Sequence, residues 1–578
     1  MATSPPSIRA RFDALALQIS DAVRASIFQE ARTEDAGQAG APSGAMKSSD
    51  AWPPATASIL REAADAIAAA ISLQTSEPAS ESSESRTEQV CGLAIATART
   101  QALMRRLDDR LLAIPWKEVP RSWRRCSTDA SLVHVCASFC RMLHEEPALT
   151  PDQAAIDCKA DSRKRLSDDI KQLIRALDVC LIVTGSPGEA RREMIYAFIR
   201  VLQGYHATLW VIGTVEDLRA RIGGGEPARK RTRVEQDDAG RLANVAIGAV
   251  RAHQGVVELD EEPDLVQFLN HLSSAPFVIR KWAQDWPAMH PVDNADASDP
   301  ERGYPRWASG RYLRQLVGEG RVVPVEIGRA YTDADWTQAI ISWDDFLERS
   351  GWGTSGRCPD QSERSSNKHD SASSETKATT YLAQHTLLTQ FPELERDMIR
   401  PDLVYSCPPA PPWMPEYRPP YDAENGAGDE VVVNAWLGPS GTLSPAHTDP
   451  YFNLYVQVVG YKQFWLAPPD ANQNGAMYHF SPAESSSDDT ANAQSVDSSE
   501  SKDPTSAAAA TYMDNTSQLD VFAERPDAVD DSFPLFSAHV EPRALTVVLQ
   551  PGDLLFIPPG WWHAVKSLTR SFSISHFF

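Results

Sequence analysis

Between Asn434 and Pro469 the sequence reads NAWLGPSGTLSPAHTDPYFNLYVQVVGYKQFWLAPP, and this stretch restricts the fold more than any other. Its β-branched and aromatic runs, residues 454–459 and 464–466, are broken by Gly and Pro in the manner of short strands joined by tight turns. The end of the chain repeats the pattern: 544–549, 554–557, 561–567 and 570–578 alternate apolar runs with Pro-Gly turns. Many short strands of this kind, closing at the last residues, predict an antiparallel jelly roll.

Within that framework a few polar residues stand out. His447 and Asp449 are two apart, so in an extended segment their side chains share one face. Asn453 follows six residues after the His, and His563 lies in PGDLLFIPPGWWHAV near the end. Two imidazoles and one carboxylate on a small barrel suit Fe(II), with three positions left open on the metal. Lys462 opens an otherwise apolar strand, and a buried ammonium needs an anion to offset its desolvation. A dicarboxylate would be such an anion. An H-x-D triplet alone specifies little; the combination with His563 and Lys462 carries the reading.

These two segments resemble the JmjC (Jumonji C) Fe(II)/2-oxoglutarate oxygenases, and within them the small arginyl-hydroxylase/lysine-demethylase 8 branch. The resemblance extends to VPVEIGRAYTDADW at 323–336 and YLAQHTLLTQFPEL at 381–394, and loosely to WKEVPRSWRRC at 116–126 and ALDVCLIVTG at 176–185. It is dense only from about Pro276 onward. It implies an α+β protein: a helical N-terminal domain, then a double-stranded β-helix (cupin-like jelly roll) JmjC domain. It implies Fe(II) on His447, Asp449 and His563, with 2-oxoglutarate as cosubstrate and O2 as oxidant. The far carboxylate of 2-oxoglutarate would meet Lys462, with Tyr381, Ser444 and Asn453 as hydrogen-bond donors. Glu326 and Trp436 match positions that hold a cationic substrate side chain. On residue type alone, Tyr381 and Ser444 also serve as ordinary structural hydrogen-bonding residues, Trp436 as a core residue and Glu326 as a surface one. The implied reaction hydroxylates a protein side chain, arginine first, and releases succinate and CO2. Its alternatives are demethylation of histone methyl-lysine, and an inactive cupin-fold binding protein. Loss of a ligand or of Lys462 would favour the last, and all four are present.

The rest of the chain sets the organisation. At 578 residues with fifteen Trp and 42% hydrophobic residues, two domains plus polar inserts are expected. Apolar residues recur at helical spacing in 8–27, 55–73, 90–112, 131–144, 168–183 and 189–205, which predicts a helical domain over 1–225. VTGSPGEARR lacks the Gly-Lys-Ser/Thr ending of a phosphate-binding loop. Residues 226–255 read as a linker, with the basic run Arg229–Arg233 as either a nuclear import signal or a charged connection. Residues 256–578 form the catalytic domain, with polar inserts expected to be disordered at about 351–380 and 481–532.

The net charge of −23 argues against direct nucleic-acid binding. Between Glu484 and Asp531 twelve acidic residues face two basic ones, so ten of the net negative charges sit in one insert. Eight cysteines show no C-x-x-C, so neither a zinc ribbon nor a disulfide frame is indicated. With no secretory or membrane-length apolar run, the expectation is a protein of the nucleus or cytoplasm, with no membrane partner. Its partner would be a protein or peptide substrate, a histone or another nuclear protein.

Overall fold

The computed structural model describes residues 6–38, 52, 55–74, 83–115, 118–145, 160–222, 250–292, 301–330, 336–353, 379–420, 431–477, 515–523 and 533–578. The basic run at 229–233, most of the expected linker and most of both expected inserts lie outside these residues. The chain divides into two compact units, Met1–Thr232 with Val317–Val323, and Arg233–Leu316 with Pro324–Phe578.

The first unit is helical: α1 (Ile8–Gln38), α2 (Thr56–Gln74), α3 (Ser83–Leu112), α4 (Arg121–Glu145), α5 (Ala160–Thr184) and α6 (Arg191–Ile222). On α2 the residues Leu60, Ala64, Ile67 and Ile71 are all buried, as a 3.6-residue period requires. α4 differs, because from Cys126 to Cys140 almost every residue is buried. A helix enclosed on all sides must satisfy its polar groups internally. Thr128 and Ser131 donate to the carbonyls of Arg124 and Ser127, each at 2.9 Å. Asp129 accepts from Arg191 Nε at 2.7 Å, with both side chains buried. The same guanidinium donates to Ala22 O and Ser26 Oγ, so one cation joins α1, α4 and α6. Phe12, Phe139 and Tyr205 pack edge to face in the middle of this core. No helix among the described residues is long and apolar enough to cross a membrane.

Fourteen strands make up the sheets of the second unit among the described residues. The first are β1 (Gln254–Gly255), β2 (Val257–Leu259), β3 (Phe277–Ile279), β4 (Val322–Ile327) and β5 (Thr337–Ser342). Next come β6 (Thr380–His385), β7 (Val432–Gly438), β8 (Leu443–Thr448), β9 (Asn453–Val459) and β10 (Lys462–Ala467). The last are β11 (Leu545–Leu549), β12 (Leu554–Ile557), β13 (Trp562–Ser567) and β14 (Ser571–Phe577). One sheet has the order β1-β11-β10-β13-β8, the other β2-β3-β12-β9-β14-β7-β6-β4-β5. This is the expected jelly roll, so the chain is α+β: helices first, then a β-sandwich.

Alternation sorts the side chains. On β10, Phe464 and Leu466 enter the core between the sheets with Tyr455 and Ile557. Trp465 and Ala467 point to the opposite face, beneath Phe536 and Leu519. Gly460, at φ 76°, makes the turn from β9 into β10, where any side chain would run into the carbonyl of Arg570.

Two boundaries differ from the sequence expectation. Residues 250–255 belong to the β unit rather than to a linker: β1 pairs in parallel with β11, and Arg251 bonds Glu541 at 2.7 Å while lying over the Phe536 ring. The second insert was expected to be without structure to 532. Residues 515–523 instead pack on the outer face of the five-stranded sheet, with Leu519, Val521 and Phe522 buried against Ala446, Trp562 and Ala564. Four apolar residues within nine outweigh the acidic composition around them.

Candidate metal centre and anion pocket

His447 on β8 and His563 on β13 stand directly opposite each other in an antiparallel pair. Their rings are 4.3 Å apart between centroids. Asp449, two residues beyond His447, brings a carboxylate oxygen 3.6 Å from His563 Nε2. One donor atom from each of the three lies within 4.8 Å of the others. Each imidazole is oriented by its own backbone. Nδ1 of His447 is 2.7 Å from Pro445 O and Nδ1 of His563 is 3.0 Å from Trp561 O. A carbonyl only accepts, so both Nδ1 atoms carry the proton and both Nε2 lone pairs are free for a metal. Burial, with the His563 ring adding to it, pushes His447 down to about 4, which keeps it neutral near pH 7. Burial acts to raise Asp449, but the facing His563 and His447 rings hold its carboxyl below the ordinary value. The trio offers two imidazole nitrogens and a carboxylate, a donor set that fits Fe(II).

A family model described as a cupin-like domain matches residues 268–578, more than half of the chain. The chain belongs to this cupin-like family, in its JmjC branch. It is 35% identical to lysine-specific demethylase 8 of Danio rerio over 264 residues, 46% of this chain and 47% of that protein. Over 305 residues it is 29% identical to lysine-specific demethylase JMJ30 of Arabidopsis thaliana, covering 53% and 50%. Over 328 residues it is 30% identical to Jumonji C domain-containing protein 5 of Drosophila melanogaster, covering 56% and 60%. The chain thus spans about half the length of these curated relatives.

In this cupin-like domain the His–Asp–His trio lines a small cavity. Tyr381, Trp436, Ser444, Asn453 and Tyr455 line the same cavity. Ser444 and His447 reach one face although they are three positions apart, an odd offset, because β8 carries a bulge. Val565 pairs with Ser444 and His563 with His447, so β8 spends one more residue than β13 over that interval. Pro445, which has no N–H to give a ladder, sits in the bulge.

Lys462 is fully buried next to this cavity. Its ammonium donates to Tyr455 Oη at 2.8 Å and Tyr381 Oη at 3.3 Å. No carboxylate pairs with it among the described residues, and burial pushes it down to about 7. Burial raises both phenols, so they stay protonated. The ammonium is a donor, and each phenol's own O–H is left to donate elsewhere. Asn453 Oδ1 is buried without a hydrogen-bond partner. An ammonium with no carboxylate partner and two phenols next to a metal-binding trio fit an anionic cosubstrate.

Tyr455 escaped the sequence reading, which treated it as part of an apolar run. Its signal was its position two residues after Asn453, on the same face of the strand. Trp436 lies 6.4 Å from Tyr381 between ring centroids and donates its indole N–H to Ser575 Oγ at 2.9 Å. Glu326 does not line the cavity; it pairs across β4 and β6 with Tyr381, and burial raises its carboxyl above the ordinary value.

Proposed function

We propose that this protein is an Fe(II)- and 2-oxoglutarate-dependent oxygenase that hydroxylates a protein side chain. One observation carries it: three metal-type donors and an anion receptor converge on one small cavity. When bound, the iron would supply O2 activation, with O2 as oxidant and 2-oxoglutarate as co-reductant: one oxygen atom goes to the substrate C–H, giving C–OH, and the other to succinate, released with CO2. His447, Asp449 and His563 are the residues that would hold the metal. Lys462, Tyr381, Tyr455, Ser444 and Asn453 hold the cosubstrate's far carboxylate. Phe464, Ile557 and Val565 make the walls apolar and keep water out. Incubation with Fe(II), 2-oxoglutarate and a peptide library, read as succinate, tests this reading. Absence of 2-oxoglutarate turnover with every peptide would favour the inactive binding protein.

For the substrate, we propose an arginine side chain in a protein or peptide, a histone or another nuclear protein. The face of Trp436 at the cavity and the carboxylate of Glu326 beside Tyr381 supply the two groups that attract a guanidinium. Demethylation of methyl-lysine is the second reading, favoured by the names of two relatives, lysine-specific demethylases. Both chemistries begin with the same C–H hydroxylation. A nuclear or cytoplasmic location belongs to the same proposal, supported by the basic run 229–233.

A further inference from the structure

We propose that Asn515 is a positioning residue for the metal-binding triplet, and that the segment it opens braces the free edge of β8. This rests on the metal reading above. β8 is the last strand of its sheet, paired on one side only with β13. On the other side Thr448 N donates to Asn515 O at 3.0 Å, and Asn515 Nδ2 donates back to Thr448 O at 3.0 Å. Ser517 N donates to Ala446 O at 2.8 Å, and Thr516 forms an antiparallel bridge with His447. One residue thus takes both backbone groups of Thr448, the residue between the two ligands.

That placement has a consequence for the donor geometry. The peptide planes on either side of Thr448 set the angle between the His447 and Asp449 side chains. Asp449 lies beyond the end of β8, where its carbonyl is held by Gly560 N at 2.8 Å. An edge strand with unpaired groups at Thr448 would be free to rotate those planes. The two hydrogen bonds with Asn515 remove that freedom before any metal arrives.

The segment does not depend on this amide for its own placement. Ser517 Oγ donates to Met477 O and accepts from Leu519 N, and Leu519 and Val521 are buried. Removing the Asn515 side chain therefore leaves the brace seated and the backbone bond from Thr448 N in place, and releases the bond to Thr448 O together with the 3.3 Å bond that Thr516 Oγ donates to Asn515 Oδ1.

The experiment uses the full chain with Co(II) as probe and no cosubstrate. It follows the dissociation constant, the Co(II) absorption bands and the melting temperature of the metal-free protein. Asn515→Ala and Asn515→Asp, the latter of equal size but without the donor, should each weaken Co(II) binding about three- to tenfold. They should also shift the bands and leave the metal-free melting temperature unchanged. Leu519→Ala, which loosens the packing and keeps the amide, is the structural control. The proposal falls if both Asn515 variants bind Co(II) with wild-type affinity and bands. It falls equally if they melt earlier, as Leu519→Ala does, with no loss of affinity beyond that control. A wild-type chain that binds no Co(II) overturns the metal reading itself, a distinguishable result.

Discussion

Lys462 Nζ lies 2.8 Å from the phenol oxygen of Tyr455, and both groups are buried inside a sandwich that offers the ammonium no carboxylate among the described residues. With its pKa near 7, the ammonium is about half neutral at pH 7. Binding a dicarboxylate requires the charged form and raises the pKa in the complex. The direction follows from linkage: above pH 7 the free protein must take up a proton to bind, and below pH 7 it need not. The affinity for 2-oxoglutarate should therefore be flat below pH 7 and fall about tenfold per unit above it, until the pKa of the complex is reached. Calorimetry in buffers of different ionisation enthalpy would show proton uptake at pH 8; binding without it would place the anion elsewhere.

Substitution of the same pair separates charge from hydrogen bonding. Lys462→Ala should weaken 2-oxoglutarate binding about ten- to more than a hundredfold, the worth of a buried charge-assisted contact. Tyr455→Phe should cost about two- to tenfold. Neither should change metal affinity much. Equal loss of metal and cosubstrate in Lys462→Ala would make Lys462 a residue of the fold rather than of the pocket.

The trio itself predicts an all-or-none response. His447→Ala, Asp449→Ala or His563→Ala should abolish iron-dependent turnover with the metal-free fold retained, because among the described residues no fourth His, Cys, Asp or Glu joins the cluster. Asp449→Glu should fail as well, since one added methylene moves the oxygen out of its corner. A single-site variant with full turnover would refute the ligand assignment.

In the helical unit, Arg191→Met leaves Asp129 charged and enclosed. Removal of one partner of a buried pair costs about 3–5 kcal/mol, and here it also takes a donor from Ser26 Oγ and the carbonyl of Ala22. Denaturant unfolding followed by helix signal should show that loss while Co(II) binding to the β unit persists.

How much of this could be read in the sequence depended on whether local periodicity survived into the fold. α2 was legible because one face is apolar and the other is not. The start of α4 was not: residues 121–130 carry Ser, Thr and Asp at buried positions, satisfied by the helix's own carbonyls and, for Asp129, by Arg191 far along the chain, so no stripe announces them. β5 went unread because its residues are mixed and none is buried. His447 and Asp449 could be paired from spacing alone. Ser444 could not, since strict alternation sends it away from His447 and only the bulge at Pro445 brings it back. Residues 515–523 were hidden by the acidic residues on either side, although Leu519, Val521 and Phe522 are a short apolar run in plain view.

The last prediction concerns the product. A demethylase must seat a methylated ammonium with its methyl carbon at the metal. An arginyl hydroxylase brings a chain methylene there and anchors the guanidinium further out. Trp436 lines the cavity, while Glu326 stands off it, one strand beyond Tyr381. That stepped arrangement suits a long cation whose reactive carbon lies inward of its charge. A methyl-lysine carries its charge within one bond of the reacting carbon and would leave Glu326 out of reach. The expected product is a peptide heavier by one oxygen on an arginine side chain. Glu326→Ala should raise the peptide KM about tenfold, the range for a lost hydrogen bond to a charged group, with cosubstrate and metal affinity unchanged. Mass spectrometry decides between the two: a methyl-lysine peptide that loses its methyl while arginine peptides stay unmodified would establish the demethylase instead, and Glu326→Ala would then leave KM as it was.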